Sequence, residues 1–526
     1  MAESRAQAAH PYKPIRAPRG LALSCKGWQQ EAALRLLMNS VDPSVAEHPE
    51  ELMVSGDVGK LARDWETFHD IVKSLQALEA DETLVIHDGE PAPILKTQAD
   101  APRVLVVNSS LLARSSSPSQ AAPSSESGDA VPARATRLAA DWMFTGPSSA
   151  LPEAYEALRA AARKHFGGSL AGRLVVAAGM GGMGGALALA ATLNGAAFLG
   201  IDADAGLIKR RVKAGYCEVM VSHLDEALRI LKNAVRKREP ASVGLIAHPA
   251  ELISALARRG VLPDLLTDQT FADEPYIPLG LAPAQALEWR EKDPRAYCKK
   301  ALESIATQTR GMIELKEMGA VVFEFGNGMR GQASACGVAD AHEMPDLAAE
   351  YLLPDLARGR GPLTIVALSG DPGDLKRVDD LFQTLFPHGE LQKWIVIARK
   401  HPSPGLPARS CWIGASEAIK LGAAINDLVA RGEIKAPVAM GRSFRQRGRD
   451  PRPAQPLAQP ASSHVLAQAI PDWPELAALL HAASGASWLS VQATAESAEG
   501  REPSAAFVVI DGKPKTPELV GRLFAI

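Results

Sequence analysis

The amino-acid sequence predicts an α/β protein with a parallel sheet flanked by helices. Apolar runs rich in β-branched residues alternate with segments of helical periodicity through the middle of the chain, as in repeated strand–helix–strand units. A glycine-rich turn joins the first of these strands to its helix. The chain of 526 residues is 46% hydrophobic and 22% charged, values typical of soluble globular proteins, and its length favours two to four domains.

The first part of the chain combines a helix, a strand and a low-complexity stretch. Apolar residues share one face of a helix predicted over residues 27–39, and the β-branched run at 103–107 predicts a buried strand. Residues 109–134 are crowded with Ser, Ala and Pro and have no hydrophobic periodicity. This composition predicts a linker or a long loop.

The middle of the chain predicts a series of βα units. Its strands and helices alternate regularly, and parallel strands need such helical crossovers. The predicted strands are 173–178, 196–201 and 242–247, and the predicted helices are 185–193, 224–234 and 250–259.

The last part of the chain predicts another mixed α/β unit. It contains a strand at 363–368, a helix at 375–385 and a helix that begins near Ser416. Residues 442–463 carry five arginines and many prolines, whose spacing excludes a continuous helix or central strand. A surface loop is predicted there, its arginines forming either a solvated surface or an anion site.

Charge and cysteine usage exclude several classes of function. The 57 Lys+Arg and 60 Asp+Glu give a net charge of -3, so nucleic acid is not expected as a partner. The sequence has no apolar run of about 18 residues and no signal peptide, which predicts a cytoplasmic protein without membrane contact. The five cysteines never form CxxC and the histidines never form HExxH. Neither a disulfide framework nor a metal site is therefore predicted.

A glycine-rich run lies between the first two strands of the βα series. Gly179, Gly181 and Gly184 have the spacing G-x-G-x-x-G, and Asp202 ends the following strand. Glycines allow the tight turn, the approach of a pyrophosphate and close helix–strand packing, while an acid at the second strand binds ribose hydroxyls. The pattern predicts a Rossmann-like dinucleotide site, the alternative being a glycine-rich helix–sheet crossing without a ligand.

Three further features are ambiguous from sequence. Residues 267–270, Thr-Asp-Gln-Thr, form either a ligand-binding strand end or an ordinary helix N-cap. Residues 323–330 form either a ligand-facing loop or a simple turn. Cys411 lies beside a tryptophan in a short extended stretch, where a small buried hydrophobe and a catalytic thiol are both possible.

Several longer segments together resemble the urocanase (urocanate hydratase) family. They occur in the family's order from about residue 20 to the C-terminus, and as a set they are specific. The segments are residues 23–35 (LSCKGWQQEAALR), 165–172 (HFGGSLAG), 181–185 (GGMGG), 267–270 (TDQT), 368–372 (LSGDP) and the stretch around Cys411.

The resemblance implies a homodimeric cytoplasmic hydro-lyase of histidine degradation. In that family, tightly bound NAD+ acts as an electrophile without net hydride transfer, and water is added to urocanate to give imidazolone propionate. The fold implied is a Rossmann-like NAD-binding domain inserted in a mixed α/β core. The corresponding limits are 1–138 for the N-terminal core segment, 139–350 for the NAD-binding domain and 351–526 for the C-terminal core segment.

The resemblance also implies a set of site residues. Gly182, Met183 and Gly184 would contact the NAD phosphates, Asp202 would take the place of a glutamate that binds the adenosine ribose, and Cys411 would be the active-site cysteine. The remaining NAD-contacting positions, several of them substituted relative to the family, are Gly56, Asp57, His248, Pro249, Gln269, Thr270, Phe271, Ala272, Asp273, Tyr276, Ile277 and Phe325.

Some family motifs are replaced in this chain. Residues 443–446 read Ser-Phe-Arg-Gln where the family has Asp-His-Leu-Asp with a candidate acid, and residues 491–494 read Val-Gln-Ala-Thr in place of a His-His-Gly-Gly-Gly loop. Leu363 and Thr364 replace an aromatic–Arg pair that could hold the substrate carboxylate. Poor turnover of urocanate is therefore predicted. Three hypotheses stay open: a hydratase for urocanate or a related imidazole-acrylate, an impaired paralogue with a binding or regulatory role, and an ordinary NAD dehydrogenase.

Overall fold

A computed structural model describes most of the chain. It covers residues 12–55, 58–109, 138–139, 141–270, 276–324, 328–356, 358–444, 473–493 and 504–525. The strands described form a two-stranded hairpin, a six-stranded sheet and an eight-stranded sheet. None of the described helices is both long enough and apolar enough to cross a bilayer.

Helices and strands alternate through most of the described chain. The α-helices are α1 Trp28–Ser40, α2 Trp65–Ala77, α3 Pro147–His165, α4 Gly182–Leu193, α5 Ala205–Lys213, α6 Leu224–Lys237, α7 Pro249–Arg258, α8 Pro283–Lys292, α9 Pro294–Glu317, α10 Met329–Ala335, α11 Leu353–Leu356, α12 Pro372–Leu385, α13 Glu390–Ala398, α14 Ala415–Ala430, α15 Trp473–Ala483 and α16 Thr516–Phe524. The strands are β1 Met53–Ser55, β2 Gly59–Lys60, β3 Glu82–His87, β4 Glu90–Lys96, β5 Val104–Ser109, β6 Leu174–Ala178, β7 Ala197–Asp202, β8 Val219–Val221, β9 Ala241–Ile246, β10 Leu265–Asp268, β11 Val321–Glu324, β12 Arg360–Ala367, β13 Ala408–Gly414, β14 Val438–Phe444, β15 Trp488–Ala493 and β16 Ser504–Ile510. Single turns of 3₁₀ or π-helix lie at Pro49–Glu51, Ala341–Glu343 and Ala348–Leu352.

The six-stranded sheet confirms the predicted parallel βα series. Its order is β11-β10-β6-β7-β9-β8, and its strand pairs are parallel. Val175 lies in register with Phe198 on one side and Leu265 on the other, all three with no exposed surface. Helix α4 begins three residues earlier than the periodicity predicts, because the weak helix propensity of glycine hides its first turn in the sequence.

The eight-stranded sheet joins the two ends of the chain. Its order is β13-β12-β14-β16-β15-β5-β3-β4. Strand β15 pairs in parallel with β5, so Trp488 lies opposite Val104. The six-stranded sheet is formed by residues between β5 and β12, which confirms a Rossmann-like unit inserted in a mixed α/β core. The limits at residues 138, 139, 350 and 351 stay a prediction.

The predicted low-complexity stretches lie mainly outside the described residues. Residue 109 ends β5, and residues 110–134 are not described. The loop predicted from residue 442 is wrong at its first three positions, because residues 442–444 belong to β14. The side chain of Arg442 is buried over the ring of Phe524, at 5.2 Å from its centroid, so the solvated surface predicted for the arginines does not include it. Burial lowers the pKa of its guanidinium to about 10.

One buried arginine joins α1 to the chain that follows β12. Arg35, on α1, has no exposed surface and donates from Nε to the Glu31 carboxylate at 2.8 Å. Its Nη atoms donate to three backbone carbonyl oxygens, those of Gly20, Ala22 and Leu368. Because Leu368 follows β12, the guanidinium joins chain segments more than 300 residues apart.

Candidate cofactor-binding site

The site predicted from the glycine-rich run lies at the carboxyl edge of the six-stranded sheet. The chain leaves β6 at residue 178, runs to β7 on one side, and later returns to β10 on the other side of β6. A crevice forms at such a reversal of strand order, where open α/β sheets bind their ligands. Gly179 and Gln269 follow β6 and β10, so both lie at this position.

The glycine loop is packed too closely for side chains at two positions. Gly179 has a φ of +86°, and a Cβ there would lie 2.5 Å from the carbonyl carbon of Gln269. A Cβ on Gly184 would overlap the carbonyl oxygen of Gly179 and lie 2.7 Å from its carbonyl carbon. These contacts place the N-terminal turn of α4 directly on the end of β6. Gly179 therefore has the tight-turn role and Gly184 the close-packing role that the motif predicts.

Asp202 holds the glycine loop through its carboxylate. Its Oδ2 accepts a hydrogen bond from the Met180 amide at 2.7 Å, and its Oδ1 accepts one from the Asp204 amide at 2.8 Å. Burial raises the pKa of Asp202 to about 6, although both backbone hydrogen bonds favour the ionised form. Asp202 thus fixes the glycine loop. It also ends β7, where the motif predicts an acid.

The raised pKa of Asp202 predicts a pH-dependent contribution to stability. Its folded-state pKa lies above the usual value of about 3.9, so the contribution is fully present below that value and declines as pH rises to about 6. In the unaltered protein, the free energy of unfolding should fall over this pH range by at most about 1.4 kcal/mol per pH unit. In Asp202→Asn, we expect this fall to be absent. Urea unfolding of both proteins between pH 4 and pH 7 measures this pH dependence of the free energy of unfolding. Parallel curves for the two proteins would contradict the assignment.

Gln269 presents an unsatisfied carboxamide beside the glycine loop. Its side chain is 6% exposed, and neither Oε1 nor Nε2 has a hydrogen-bond partner among the described residues. Its Cβ lies 3.2 Å from the position that a Cβ on Gly184 would take. A buried amide without a partner costs about 1–3 kcal/mol, so a ligand with both a donor and an acceptor fits this position.

The neighbouring Asp268 is held by a buried polar chain. Its Oδ1 accepts a hydrogen bond from Gln308 Nε2 at 2.5 Å, and its Oδ2 accepts one from the Thr270 amide at 3.1 Å. Gln308 Oε1 in turn accepts a hydrogen bond from the Tyr276 hydroxyl at 2.6 Å. Residues 267 and 268 thus end β10, and these hydrogen bonds fix the Asp268 carboxylate there.

His248, Pro249, Tyr276 and Ile277 come together at the end of β9. His248 Nε2 lies 2.7 Å from the carbonyl oxygen of Ile277, to which it donates, and the imidazole packs edge-on against Tyr276 at 5.8 Å. Pro249 begins α7. Burial lowers the pKa of His248, so the ring is neutral and its Nδ1, which has no partner among the described residues, can accept a hydrogen bond.

Several predicted site residues lie outside the part of the chain that the structure describes. They are Gly56, Asp57, Phe271, Ala272, Asp273 and Phe325. Ser55, which precedes Gly56, approaches the glycine loop: its Cβ lies 3.6 Å from the position that a Cβ on Gly182 would take. Phe144 Cζ lies 3.5 Å from the same position. The N-terminal core therefore contacts the Rossmann-like unit at this loop.

Comparison with family models matches nearly the whole chain to one family. Residues 15–131 match the urocanase N-terminal domain, residues 146–351 the urocanase Rossmann-like domain and residues 354–525 the urocanase C-terminal domain. The chain belongs to the urocanase family. The resemblance predicted from the sequence is thereby confirmed, and the family's hydro-lyase class gives the general class of activity. A Rossmann-like domain in a urocanase is consistent with a nucleotide cofactor.

Cys411 is fully buried in the urocanase core, in the same hydrophobic cluster as Met180 and Met183. Successive residues of β13 point to opposite faces, and Ser410 faces Thr364, with 3.0 Å between their hydroxyl oxygens. That face meets Met143, since a Cβ on Gly441, which pairs with Thr364, would contact Met143 Sδ. Cys411 lies on the other face, with no exposed surface. Desolvation raises the pKa of its thiol to about 12.

Sequence reasoning missed three polar residues of this urocanase site. Glu47 and Arg211 form a buried ion pair beside the glycine loop, and Gln308 holds Asp268. Glu47 is 164 residues distant from Arg211, and no local pattern connects them. Gln308 lies on the buried side of the long helix α9 together with Ser304 and Thr309, so its sequence context did not single it out. Among the described residues, no group of three or more His, Cys, Asp or Glu side chains could hold a metal ion.

Proposed function

We propose that this protein is a urocanate hydratase-type hydro-lyase that adds water to urocanate or a related imidazole-acrylate with tightly bound NAD+. The observation that carries the proposal is the unsatisfied carboxamide of Gln269 at the switch point, beside the glycine loop. The family membership of the chain supports it. The proposal includes the family's cytoplasmic homodimer and its role in histidine degradation.

The described residues fit a dinucleotide. The amides at the start of α4, at Gly182, Met183 and Gly184, would meet the pyrophosphate with the positive end of the helix dipole. Asp202 would face the adenosine ribose and Gln269 the nicotinamide half. When bound, the oxidised nicotinamide would supply an electron sink for the imidazole of the substrate.

The polar groups around this position would orient the ligand and exclude water. His248 Nδ1 is a neutral acceptor, and Thr270 follows the strand end that Asp268 fixes. Pro249, Tyr276 and Ile277 would line the same side, and the undescribed Gly56, Asp57, Phe271, Ala272, Asp273 and Phe325 would complete the cofactor contacts by the resemblance. We keep Cys411 as the proposed active-site cysteine, with its proton on the thiol at neutral pH because its pKa is raised to about 12.

An absorbance assay tests this proposal. The purified protein is expected to decrease the ultraviolet absorbance of urocanate slowly, because the family's acid-containing motif is replaced and a positioned acid contributes about 10²- to 10⁴-fold to rate. Cys411→Ala is expected to suppress the decrease further, and Cys298→Ala, a half-buried thiol elsewhere, should not. Protein that retains NAD but leaves the absorbance of urocanate and of other imidazole-acrylates unchanged would contradict the hydratase assignment.

A second candidate, a catalytically impaired paralogue with a binding role, is favoured by one observation. By the resemblance, Thr364 replaces an arginine that would bind the substrate carboxylate. The Thr364 hydroxyl lies 3.0 Å from the Ser410 hydroxyl. This pair is neutral, so it offers no cation to the substrate carboxylate. Retained NAD without turnover would support this candidate. Reduction of NAD on addition of substrate would instead indicate a dehydrogenase.

A further inference from the structure

An ion pair joins the N-terminal core to the Rossmann-like unit beside the glycine loop. Arg211 Nη2, on α5, lies 3.0 Å from Glu47 Oε1. The two residues are 6% and 8% exposed, so the pair is shielded from solvent and salt. Removing one partner of such a pair leaves an uncompensated charge in a low-dielectric position.

Arg211 contacts the glycine loop directly. Its Nε donates to the carbonyl oxygen of Met180 at 3.0 Å, and the side chain of Arg211 fills the space in which a Cβ on Gly185 would lie. The amide of the same Met180 donates to Asp202. Both polar backbone groups of Met180 are therefore held, one by an anion and the other by a cation.

Glu47 brings a negative charge to the outer side of the same loop. Its Oε1 lies 3.6 Å from the position that a Cβ on Gly181 would take. Its backbone amide donates to the carbonyl oxygen of Val54 at 2.9 Å, which fixes the segment to β1. A carboxylate at this distance repels a pyrophosphate at the loop unless a cation compensates it, and Arg211 is that cation.

We propose that Glu47 and Arg211 are positioning residues that set the affinity of the loop for a dinucleotide pyrophosphate. Arg211 holds the Met180 carbonyl and contributes positive charge, and Glu47 reduces that charge while fixing the guanidinium. The affinity of the site thus depends on the N-terminal core as well as on the glycine motif. This inference rests on the proposed function, since the pyrophosphate is that of NAD.

The two charges have opposite expected effects on anion affinity. Glu47→Gln keeps an acceptor for Arg211 and removes the negative charge, so we expect the Kd for NAD and for ADP-ribose to fall on the order of threefold. Arg211→Gln removes the cation and leaves the carboxylate near the phosphates, so we expect both Kd values to rise on the order of tenfold. Arg211→Lys keeps the charge but loses the guanidinium geometry, and should be intermediate.

Calorimetric titration of nucleotide-stripped full-length protein with NAD and ADP-ribose, at low and high salt, tests the proposal. Asp225→Asn and Arg259→Gln, which break an exposed ion pair on the same unit, serve as matched controls and should leave both Kd values unchanged. If the ion pair had only a structural role, Glu47→Gln and Arg211→Gln would both weaken binding of NAD and ADP-ribose. That result, or unchanged affinity in both, would overturn the proposal.

Amide hydrogen exchange separates failure of this inference from failure of the proposed function. If the unaltered protein binds neither NAD nor ADP-ribose, the proposed cofactor is wrong. Exchange of the amides of residues 179–185 in ligand-free protein then tests only whether Arg211 holds the glycine loop. We expect faster exchange in Arg211→Gln and little change in Glu47→Gln, because the first variant loses the bond to Met180. Unchanged exchange in Arg211→Gln would overturn the proposed positioning role.

Discussion

Gly184→Ala is expected to abolish binding of NAD and of ADP-ribose, with a rise in Kd of more than about a hundredfold. The added methyl would overlap the carbonyl oxygen of Gly179 and lie 2.7 Å from its carbonyl carbon. Both atoms are backbone, so α4 must move away from the end of β6 and the loop amides lose their common direction. Overpacking of this kind also costs about 1–3 kcal/mol of stability. Calorimetric titration and urea unfolding measure the two effects.

Gly521→Ala is the matched control for this variant. Gly521 lies in α16, where a Cβ would meet no atom within 4 Å. Alanine there should raise the free energy of unfolding by about 0.5–1 kcal/mol and leave the Kd for NAD unchanged. If Gly184→Ala binds NAD as tightly as the unaltered protein, the glycine loop is not the pyrophosphate site.

Arg35→Met is expected to lower the free energy of unfolding by about 3–5 kcal/mol. The substitution leaves the Glu31 carboxylate buried without its cation and leaves three backbone carbonyls without their donor. It also removes the hydrogen bond from α1 to the chain that follows β12. Urea unfolding monitored by tryptophan fluorescence measures the loss.

Two comparisons show whether this loss comes from the buried charge. Arg173→Met removes an exposed ion pair with Asp264 and should cost less than about 1 kcal/mol. The double variant Arg35→Met with Glu31→Met should be more stable than Arg35→Met alone, because no unpaired carboxylate remains. A cost for Arg35→Met as small as that for Arg173→Met would contradict the anchoring role of Arg35.

The parts of the site that depend on local sequence were predictable. The strand, glycine turn and helix around residues 174–193 are contiguous. Their sequence pattern therefore predicts both the βα unit and the dinucleotide site. Asp202 follows from the same pattern because it ends the next strand. The first turn of α4 was missed because its glycines have weak helix propensity.

Features that depend on long-range pairing were not predictable from patterns. The ion pair of Glu47 with Arg211 and the hydrogen bond from Gln308 to Asp268 join residues far apart in sequence. The antiparallel pairings of β12 with β13 and with β14 decide which face of the eight-stranded sheet the residues of these strands occupy. The face of Cys411, and the burial of Arg442, follow from that arrangement and not from their neighbours along the chain.

The NAD released when the purified full-length protein is denatured tests the central claim most directly. The claim is that the glycine loop, Asp202 and Gln269 hold NAD tightly in this urocanase. We predict about one molecule of NAD per chain, as for a resident cofactor, and its loss in Gly184→Ala. Protein that releases no NAD and binds none on addition would contradict the account.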